Sequence, residues 1–152
     1  MEDLSLHILD VAENAVRAGG RRIAIGLVED QASDTLILSI EDDGTGMDKE
    51  TVERVLDPFF TTKSGKGVGL GLAFLAQAAH ETGGKLILDS QEGKGTKVTA
   101  VFQLSHPDMK PTGDLLETMA VLVAGYPSMH FILDYRKGGS SYHFDSREGC
   151  NG

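Results

Sequence analysis

The chain is poor in cysteine, in long apolar runs and in positive charge, and each shortage excludes a class of protein. Among its 152 residues the one cysteine is Cys150, so no disulfide forms within the chain, as is typical of a reducing compartment. No apolar run approaches the ~18 residues that a membrane-spanning helix needs. The 14 Lys and Arg are outnumbered by 23 Asp and Glu, and the net charge of −9 argues against a general nucleic-acid or anionic-membrane surface. We therefore expect a cytoplasmic protein that binds neither nucleic acid nor membrane.

Two common phosphate-binding motifs are also missing. Walker A fails because no Gly-Lys pair has a glycine five residues before it. The dinucleotide motif G-x-G-x-x-G fails because Leu70 and Leu72 stand where the third glycine is required. Residues 65–74, GKGVGLGLAF, are nevertheless rich in glycine and run directly into an apolar helix pattern. Glycine lets a backbone approach a ligand closely. This stretch therefore predicts a ligand-binding site that is neither a Walker A loop nor a dinucleotide-binding loop.

Apolar periodicity predicts alternating helices and strands over the first two thirds of the chain. Helices are predicted at residues 3–18, 48–56 and 68–82, and strands at 23–28, 35–40, 85–90 and 96–104. Strands that alternate with apolar helices support a two-layer α+β architecture but do not give the strand order.

Composition changes at residues 105–111, where two prolines within five residues predict a linker. Beyond it, residues 112–152 are predicted to form a small unit of one helix and one β-hairpin. Asp114 and Glu117 form a capping-box pair that opens the helix, and Lys137-Gly138-Gly139 marks the hairpin turn. We expect this unit to be a structural cap, with sheet extension, partner binding and dimerisation as alternatives.

Four separated segments of the chain stand out when they are read together. They are Asn14, then Asp43-Gly44-x-Gly46, then DPFFTTK at 57–63, then Gly67-x-Gly69-Leu70-Gly71. Together and in this order they resemble the N, G1, F and G2 boxes of the GHKL superfamily, the ATP-binding domains of gyrase, the heat-shock chaperone, histidine kinases and the mismatch-repair ATPase. FFTTK followed closely by GVGLGL is most similar to histidine kinases of the nitrogen-regulation type, and the resemblance covers about residues 3–104.

The resemblance implies a two-layer sandwich of the Bergerat type, with helices over a mixed, mainly antiparallel sheet, and a nucleotide site built from the four boxes. We expect Asp43, which ends an apolar strand, to point into the domain and to accept a hydrogen bond from the exocyclic amine of adenine. Met47 is expected to pack on the base. The predicted ATP-binding residues are Asn14, Asp43, Gly44, Gly46, Met47, Phe60, Thr61, Thr62, Lys63, Gly67, Val68, Gly69, Leu70, Gly71 and Thr96.

The first predicted helix adds a metal ligand and a candidate base. Asn14 offers an oxygen to Mg²⁺, and Asp10 lies one turn earlier on the same face. In hydrolysing relatives and in anti-sigma serine kinases this earlier position typically holds Glu, a general base, and in histidine kinases it is commonly Asn. Asp10 is therefore predicted to be catalytic, with a solvated helix face as the alternative. His7 is expected to belong to the solvated stripe, and we expect no phospho-acceptor domain in this chain.

Three functions follow from the resemblance. The first is an ATP-binding domain that transfers the γ-phosphate to a separate protein, as histidine kinases or anti-sigma-type serine kinases do. The second is an ATPase switch that controls a partner, and the third is a non-catalytic nucleotide sensor. Residues 57–71 are expected to be a mobile lid that orders when the γ-phosphate binds. The predicted partners are ATP or ADP and one protein, and a homodimer is left open.

Overall fold

The alternation seen in the sequence produces four helices and six strands within the residues that the computed structural model describes, 3–55, 70–109 and 111–147. None of these helices combines the length and apolar character needed to cross a membrane. The order along the chain is α1 (Leu4–Arg17), β1 (Arg22–Asp30), β2 (Thr35–Asp42), α2 (Lys49–Val55), α3 (Leu70–Glu81), β3 (Lys85–Gln91), β4 (Gly95–Gln103), α4 (Leu115–Gly125), β5 (His130–Lys137) and β6 (Ser140–Asp145).

The six strands form one mixed sheet in the order β3-β4-β2-β1-β5-β6. Four neighbouring pairs are antiparallel, and the β1–β5 pair is parallel. The register places Ile25 opposite Ile40, and Ile40 opposite Val98. The predicted mixed, mainly antiparallel sheet is therefore confirmed.

The sheet buries one face against the helices, which gives the predicted two layers. Every second residue of the central strands is buried, as a sheet covered mainly on one face requires. These residues are Ile23, Ile25 and Leu27 of β1, Leu36, Leu38 and Ile40 of β2, and Val98, Ala100 and Phe102 of β4. They share one hydrophobic core with residues of α1, α3 and α4.

Helix α1 contacts both α3 and α4, and this corrects the prediction for His7. Asp3 caps the helix by accepting a hydrogen bond from the Leu6 amide at 3.3 Å, so the predicted start is confirmed. His7, expected on the solvated stripe, is only 4% exposed. A helix with neighbours on both sides buries more than its sheet-facing stripe, and periodicity within α1 contains no information about those neighbours.

The predicted C-terminal helix and hairpin are present, but they continue the same sheet and core. β5 lies parallel to β1, with Phe131 opposite Ile23. Leu122 of α4 is fully buried in the common core. The segment predicted as a linker is also tied down, because the Leu4 amide donates to the Pro111 carbonyl at 2.9 Å. Residues 112–147 thus extend the architecture and do not form a core of their own.

Candidate functional site

A pocket lies between α1, the start of α3, the last residue of β2 and the first residues of β4. Half of the apolar side chains of this pocket come from the α1 region, where positions 11, 15 and 18 recur at helical spacing on one face. Polar groups from β2 and β4 meet them at the sheet end of the pocket. The lining residues are Val11, Asn14, Ala15, Ala18, Asp42, Gly46, Met47, Leu72, Thr96 and Val98.

The carboxylate in this pocket belongs to Asp42, not to Asp43. Asp42 is half-buried, lies opposite Thr96 in the sheet register, and accepts a hydrogen bond from the Gly44 amide at 2.8 Å. Asp43 is exposed, and its Oδ1 accepts hydrogen bonds from the backbone amides of Arg21 at 2.7 Å and Arg22 at 3.0 Å. The prediction that Asp43 points into the domain is therefore wrong.

The two carboxyl groups also differ in how their surroundings shift ionisation. Burial raises the pKa of Asp42, and the neighbouring charge of Asp43 adds to this effect. The Arg22 and Arg21 amides lower the pKa of Asp43 because they stabilise its ionised form. A half-buried carboxylate in an apolar pocket is a group suited to a ligand, whereas Asp43 joins the loop after β2 to the start of β1.

Glycine is required where the loop after β2 meets other backbone. Gly46 has φ of +70°, and a Cβ there would lie 2.0 Å from the Gln91 carbonyl oxygen. A Cβ on Gly44 would lie 2.9 Å from the Ala18 carbonyl oxygen. The two glycines therefore let the loop pass between the end of α1 and the β3–β4 turn. This path of the loop places Met47 at the pocket.

Ser90 connects this loop to Thr96. Its hydroxyl accepts a hydrogen bond from the Met47 amide at 2.8 Å and lies 2.7 Å from the Thr96 hydroxyl. The same hydroxyl donates to the Gly95 carbonyl at 3.1 Å. One side chain thus sets the positions of two pocket-lining residues, Met47 and Thr96.

The other wall of the pocket brings α3 against α1. A Cβ on Gly71 would lie 3.2 Å from Cβ of Asp10 and 3.4 Å from Nδ2 of Asn14. Gly71 therefore lets the first turn of α3 approach the two side chains closely. Asn14 Oδ1 accepts a long hydrogen bond of 3.4 Å from the guanidinium of Arg17. Asp10 is exposed beside the pocket.

Comparison with known families gives one match over this part of the chain. The model of the histidine kinase-, DNA gyrase B-, and HSP90-like ATPase family matches residues 2–106, which include every residue that lines the pocket. The chain belongs to this family. As a member of the histidine kinase-like ATPase family, it contains an ATP-binding domain of the kinase type, and the GHKL resemblance is confirmed.

The curated relatives of this ATPase domain carry names that describe a nitrogen regulation protein, a sensor histidine kinase and a sporulation kinase. The nitrogen regulation protein NtrY of Azorhizobium caulinodans is 36% identical over 98 residues, 64% of this chain and 12% of that protein. The sensor histidine kinase ZraS of Escherichia coli K12 is 30% identical over 106 residues, 70% of this chain and 23% of that protein. Sporulation kinase E of Bacillus subtilis is 33% identical over 107 residues, 70% of this chain and 14% of that protein. The chain therefore spans less than a quarter of the length of each of these relatives.

A solved structure shares the fold of the ATPase domain. The Aquifex aeolicus MutL ATPase domain, complexed with ADP, superimposes with a TM-score of 0.59 at 15% identity. The match covers 90% of this chain and 60% of that one. This likeness concerns the fold, since the two sequences are far apart.

The structure brings together the predicted site residues that it describes, with Asp43 as the exception. Asn14, Gly46, Met47 and Thr96 line the pocket, Gly44 and Gly71 lie beside it, and Leu70 begins α3. The predicted lid at 57–71 lies largely outside the described residues. The predicted residues that lie there are Phe60, Thr61, Thr62, Lys63, Gly67, Val68 and Gly69.

Sequence reasoning missed two polar side chains, Asp42 in this pocket and Ser90 next to it. Asp42 had a local signal, because Leu36, Leu38 and Ile40 alternate into the core and the next residue of that alternation is 42. Ser90 had none, because it acts on Met47 from 43 positions away along the chain. A hydrogen bond between distant segments leaves no periodic mark in the sequence.

Proposed function

We propose that this chain binds Mg²⁺–ATP in the pocket beneath α1 and α3 and transfers the γ-phosphate to a separate protein. The observation that carries the proposal is the half-buried Asp42 carboxylate in an otherwise largely apolar pocket. The relatives whose names describe sensor and sporulation kinases support transfer to a protein.

Asp42 is the group proposed to bind adenine. An ionised carboxylate only accepts hydrogen bonds, so it suits the exocyclic amine of adenine and repels the oxygen that guanine carries at that position. The Gly44 amide holds the carboxylate in place, and Met47 provides an apolar surface for the face of the base. Thr96, oriented by Ser90, adds a hydroxyl on the same side of the pocket.

Asn14 and the first turn of α3 are proposed to hold the phosphates and Mg²⁺. Asn14 fits as one ligand because Mg²⁺ prefers oxygen and keeps water and phosphate oxygens as its other ligands. When bound, Mg²⁺ would neutralise charge on the phosphates. The missing side chain of Gly71 leaves room for the start of α3 to lie close to Asn14, and amides at a helix N-terminus favour phosphate oxygens.

A second function, ATP hydrolysis as a switch, is favoured by the position of Asp10. This carboxylate lies one helical turn before Asn14 and next to Gly71, where a base acting on water near the phosphates would be needed. Aspartate is one methylene shorter than the glutamate of hydrolysing relatives. For this reason protein phosphorylation stays the first proposal and hydrolysis the second.

The first test compares ATP affinity in two adjacent variants. Asp42→Asn should weaken ATP binding about ten-fold or more, because a charge-assisted hydrogen bond to the base is lost. Asp43→Asn is the matched control and should leave affinity unchanged, since its side chain lies outside the pocket. Calorimetry with Mg²⁺ and a non-hydrolysable ATP analogue measures both. Equal loss in the two variants would contradict the assignment of Asp42.

The second step follows the γ-phosphate of labelled ATP. We expect the chain alone to bind ATP without rapid phosphate release, and to label a protein in an extract of its source cells. At an ATP concentration well below the dissociation constant of the wild type, labelling should fall in Asp42→Asn by about the same factor as the affinity. Fast phosphate release that falls about a hundred-fold in Asp10→Asn, with no labelled protein, would instead establish the hydrolytic switch.

A further inference from the structure

Strand β6 forms one edge of the sheet. β5 pairs with one side of it, and no strand among the described residues pairs with the other. Its six residues, SSYHFD, contain neither lysine nor proline, which proteins commonly use to block exposed edges. The opposite edge strand, β3, begins with Lys85 and also contacts α2. The two edges therefore differ, and β6 is the one suited to accept another strand.

An apolar groove of about 470 Å³ lies beside the open edge, on the helix side of the sheet. Its walls come from the first turn of α4 and from the hairpin. Leu116 is 57% exposed and Tyr142 of β6 is 43% exposed. The groove is lined by Gly113, Asp114, Leu115, Leu116, Leu133, Tyr135 and Tyr142.

The hairpin differs in charge from the rest of the chain. Residues 130–147 carry three positive and two negative side chains, a net charge of +1, whereas the whole chain carries −9. The Asp134 and Asp145 carboxylates are moreover paired, with His143 at 2.6 Å and His130 at 2.8 Å. Two copies of so acidic a chain repel each other over most of their surfaces, and this repulsion is least where they meet through the hairpin.

We propose that β6 is a self-association strand, through which two copies of this chain pair antiparallel across a two-fold axis. A two-fold axis perpendicular to the sheet at a strand edge makes the edge complementary to itself, because it sets the two copies antiparallel and keeps their helix layers on the same side. The occupant of the edge is therefore a second copy of the chain.

The pairing that sets His143 opposite the partner's His143 also sets Tyr142 opposite Phe144 of the partner subunit. Tyr142 and Phe144 lie on the helix side of the sheet, since they stand opposite Tyr135 and Leu133. Two aromatic cross-strand pairs would then join the strands. The grooves of the two copies would meet at the junction and cover the exposed Tyr142 and Leu116.

The interface is separate from the nucleotide pocket. β1 and β5 stand between β6 and β2, the strand that carries Asp42. Self-association therefore does not depend on the proposed ATP chemistry, and failure of one proposal leaves the other standing.

Sedimentation equilibrium of the full chain tests the proposal with a matched pair of variants. Wild type should have about twice the chain mass of 16.2 kDa. Tyr142→Lys should raise the dissociation constant at least about ten-fold, because it places a charge in the apolar junction. Ile87→Lys is the control, since Ile87 is 49% exposed on the opposite edge strand, and it should behave as wild type. Added salt should tighten the dimer by screening the repulsion between copies.

A crosslink provides a second readout if Tyr142→Lys fails to fold. His143→Cys in a Cys150→Ser background should form a disulfide-linked dimer on mild oxidation, because the two cysteines would face each other at the axis. A wild-type monomer at every concentration reached would overturn the proposal and leave the groove to a different protein. Equal dissociation by both lysine variants, or a wild-type dimer that yields no crosslink, would also overturn it.

Discussion

Asp42 and Asp43 are adjacent and have opposite surroundings. Asp42 is the last residue of β2, and its side chain faces the helix layer, where burial raises its pKa. Asp43 has left the strand, and its carboxylate binds two backbone amides at the start of β1, which lower its pKa. We infer that the first is available to a ligand while the second stabilises the fold.

Replacing Asp43 tests this structural role. Asp43→Ala removes the acceptor for two backbone N–H groups, so the free energy of unfolding at neutral pH should fall by about 1 kcal/mol after allowance for solvent screening. Because the folded-state pKa is lowered, this stability is present above the usual pKa of 3.8 and is lost as pH falls through the folded value. The difference between wild type and variant should therefore shrink below about pH 4.

Urea unfolding at neutral pH and at about pH 3 measures this difference. Asp43→Asn is the control, since it keeps an acceptor oxygen and should lose less stability than Asp43→Ala. A difference that does not change with pH would show that the charge of Asp43 contributes nothing.

Among the elements, the loop after β2 and the β3–β4 turn hold each other in place. The Gly93 amide donates to the Thr45 carbonyl at 2.7 Å, and the Met47 amide donates to Ser90 at 2.8 Å. Gly46 lies so close to Gln91 that no side chain fits between the two backbones. The end of the pocket near Asp42 is thus formed by two turns acting as one unit.

Two glycine variants separate the effect of backbone conformation from that of contact. Gly46 and Gly93 both have positive φ, +70° and +79°, but nothing lies within 4 Å of a Cβ built on Gly93. Gly93→Ala should lower the free energy of unfolding by about 1 kcal/mol, from the conformation alone. Gly46→Ala should lower it by about 3 kcal/mol or more, because the loop must also move away from Gln91. Thermal and urea unfolding measure both, and equal losses would contradict the close approach.

For the whole molecule, the C-terminal elements complete the core of the ATPase domain. The family match ends at residue 106, yet Leu122 of α4 and Phe131 of β5 are fully buried together with α1 and β1. The described part of this chain thus carries, beyond the matched segment, a helix and a hairpin whose inward-facing residues belong to the same core.

A chain that ends at residue 106 should therefore be severely destabilised. Removing the remainder exposes one side of α1 and the free edge of β1, and it takes five residues from the common core: Leu115, Met119, Leu122, Phe131 and Leu133. Each such side chain contributes about 1.5–3 kcal/mol when buried, so their loss is comparable to the ~5–15 kcal/mol that stabilises a typical domain. Circular dichroism on heating measures the effect. A truncated chain that melts close to the full chain would show that the matched segment folds alone.

The sequence by itself determined the elements and the order of the site segments. Helix and strand positions depend on local periodicity and on helix caps. One such cap is the Asp114 carboxylate, which accepts a hydrogen bond from the Glu117 amide at 3.0 Å. The glycine-containing boxes depend on short spacings, which a single chain displays directly. Local chemistry also decides where helix α2 starts, since Asp48 accepts a hydrogen bond from the Thr51 amide at 2.7 Å.

Only the tertiary structure decided which distant residues meet. The parallel pairing of β5 with β1, the burial of His7 and the link from Ser90 to Met47 all join segments far apart in the chain. Both the local sequence and the tertiary structure determine that the side chain of Asp42, and not that of Asp43, lies in the pocket. Alternation along β2 already points Asp42 inward, but the pairing of Asp42 with Ile23 and Thr96 keeps it in the sheet. A strand ends where its partners end, and partners are set by the packing of the whole chain.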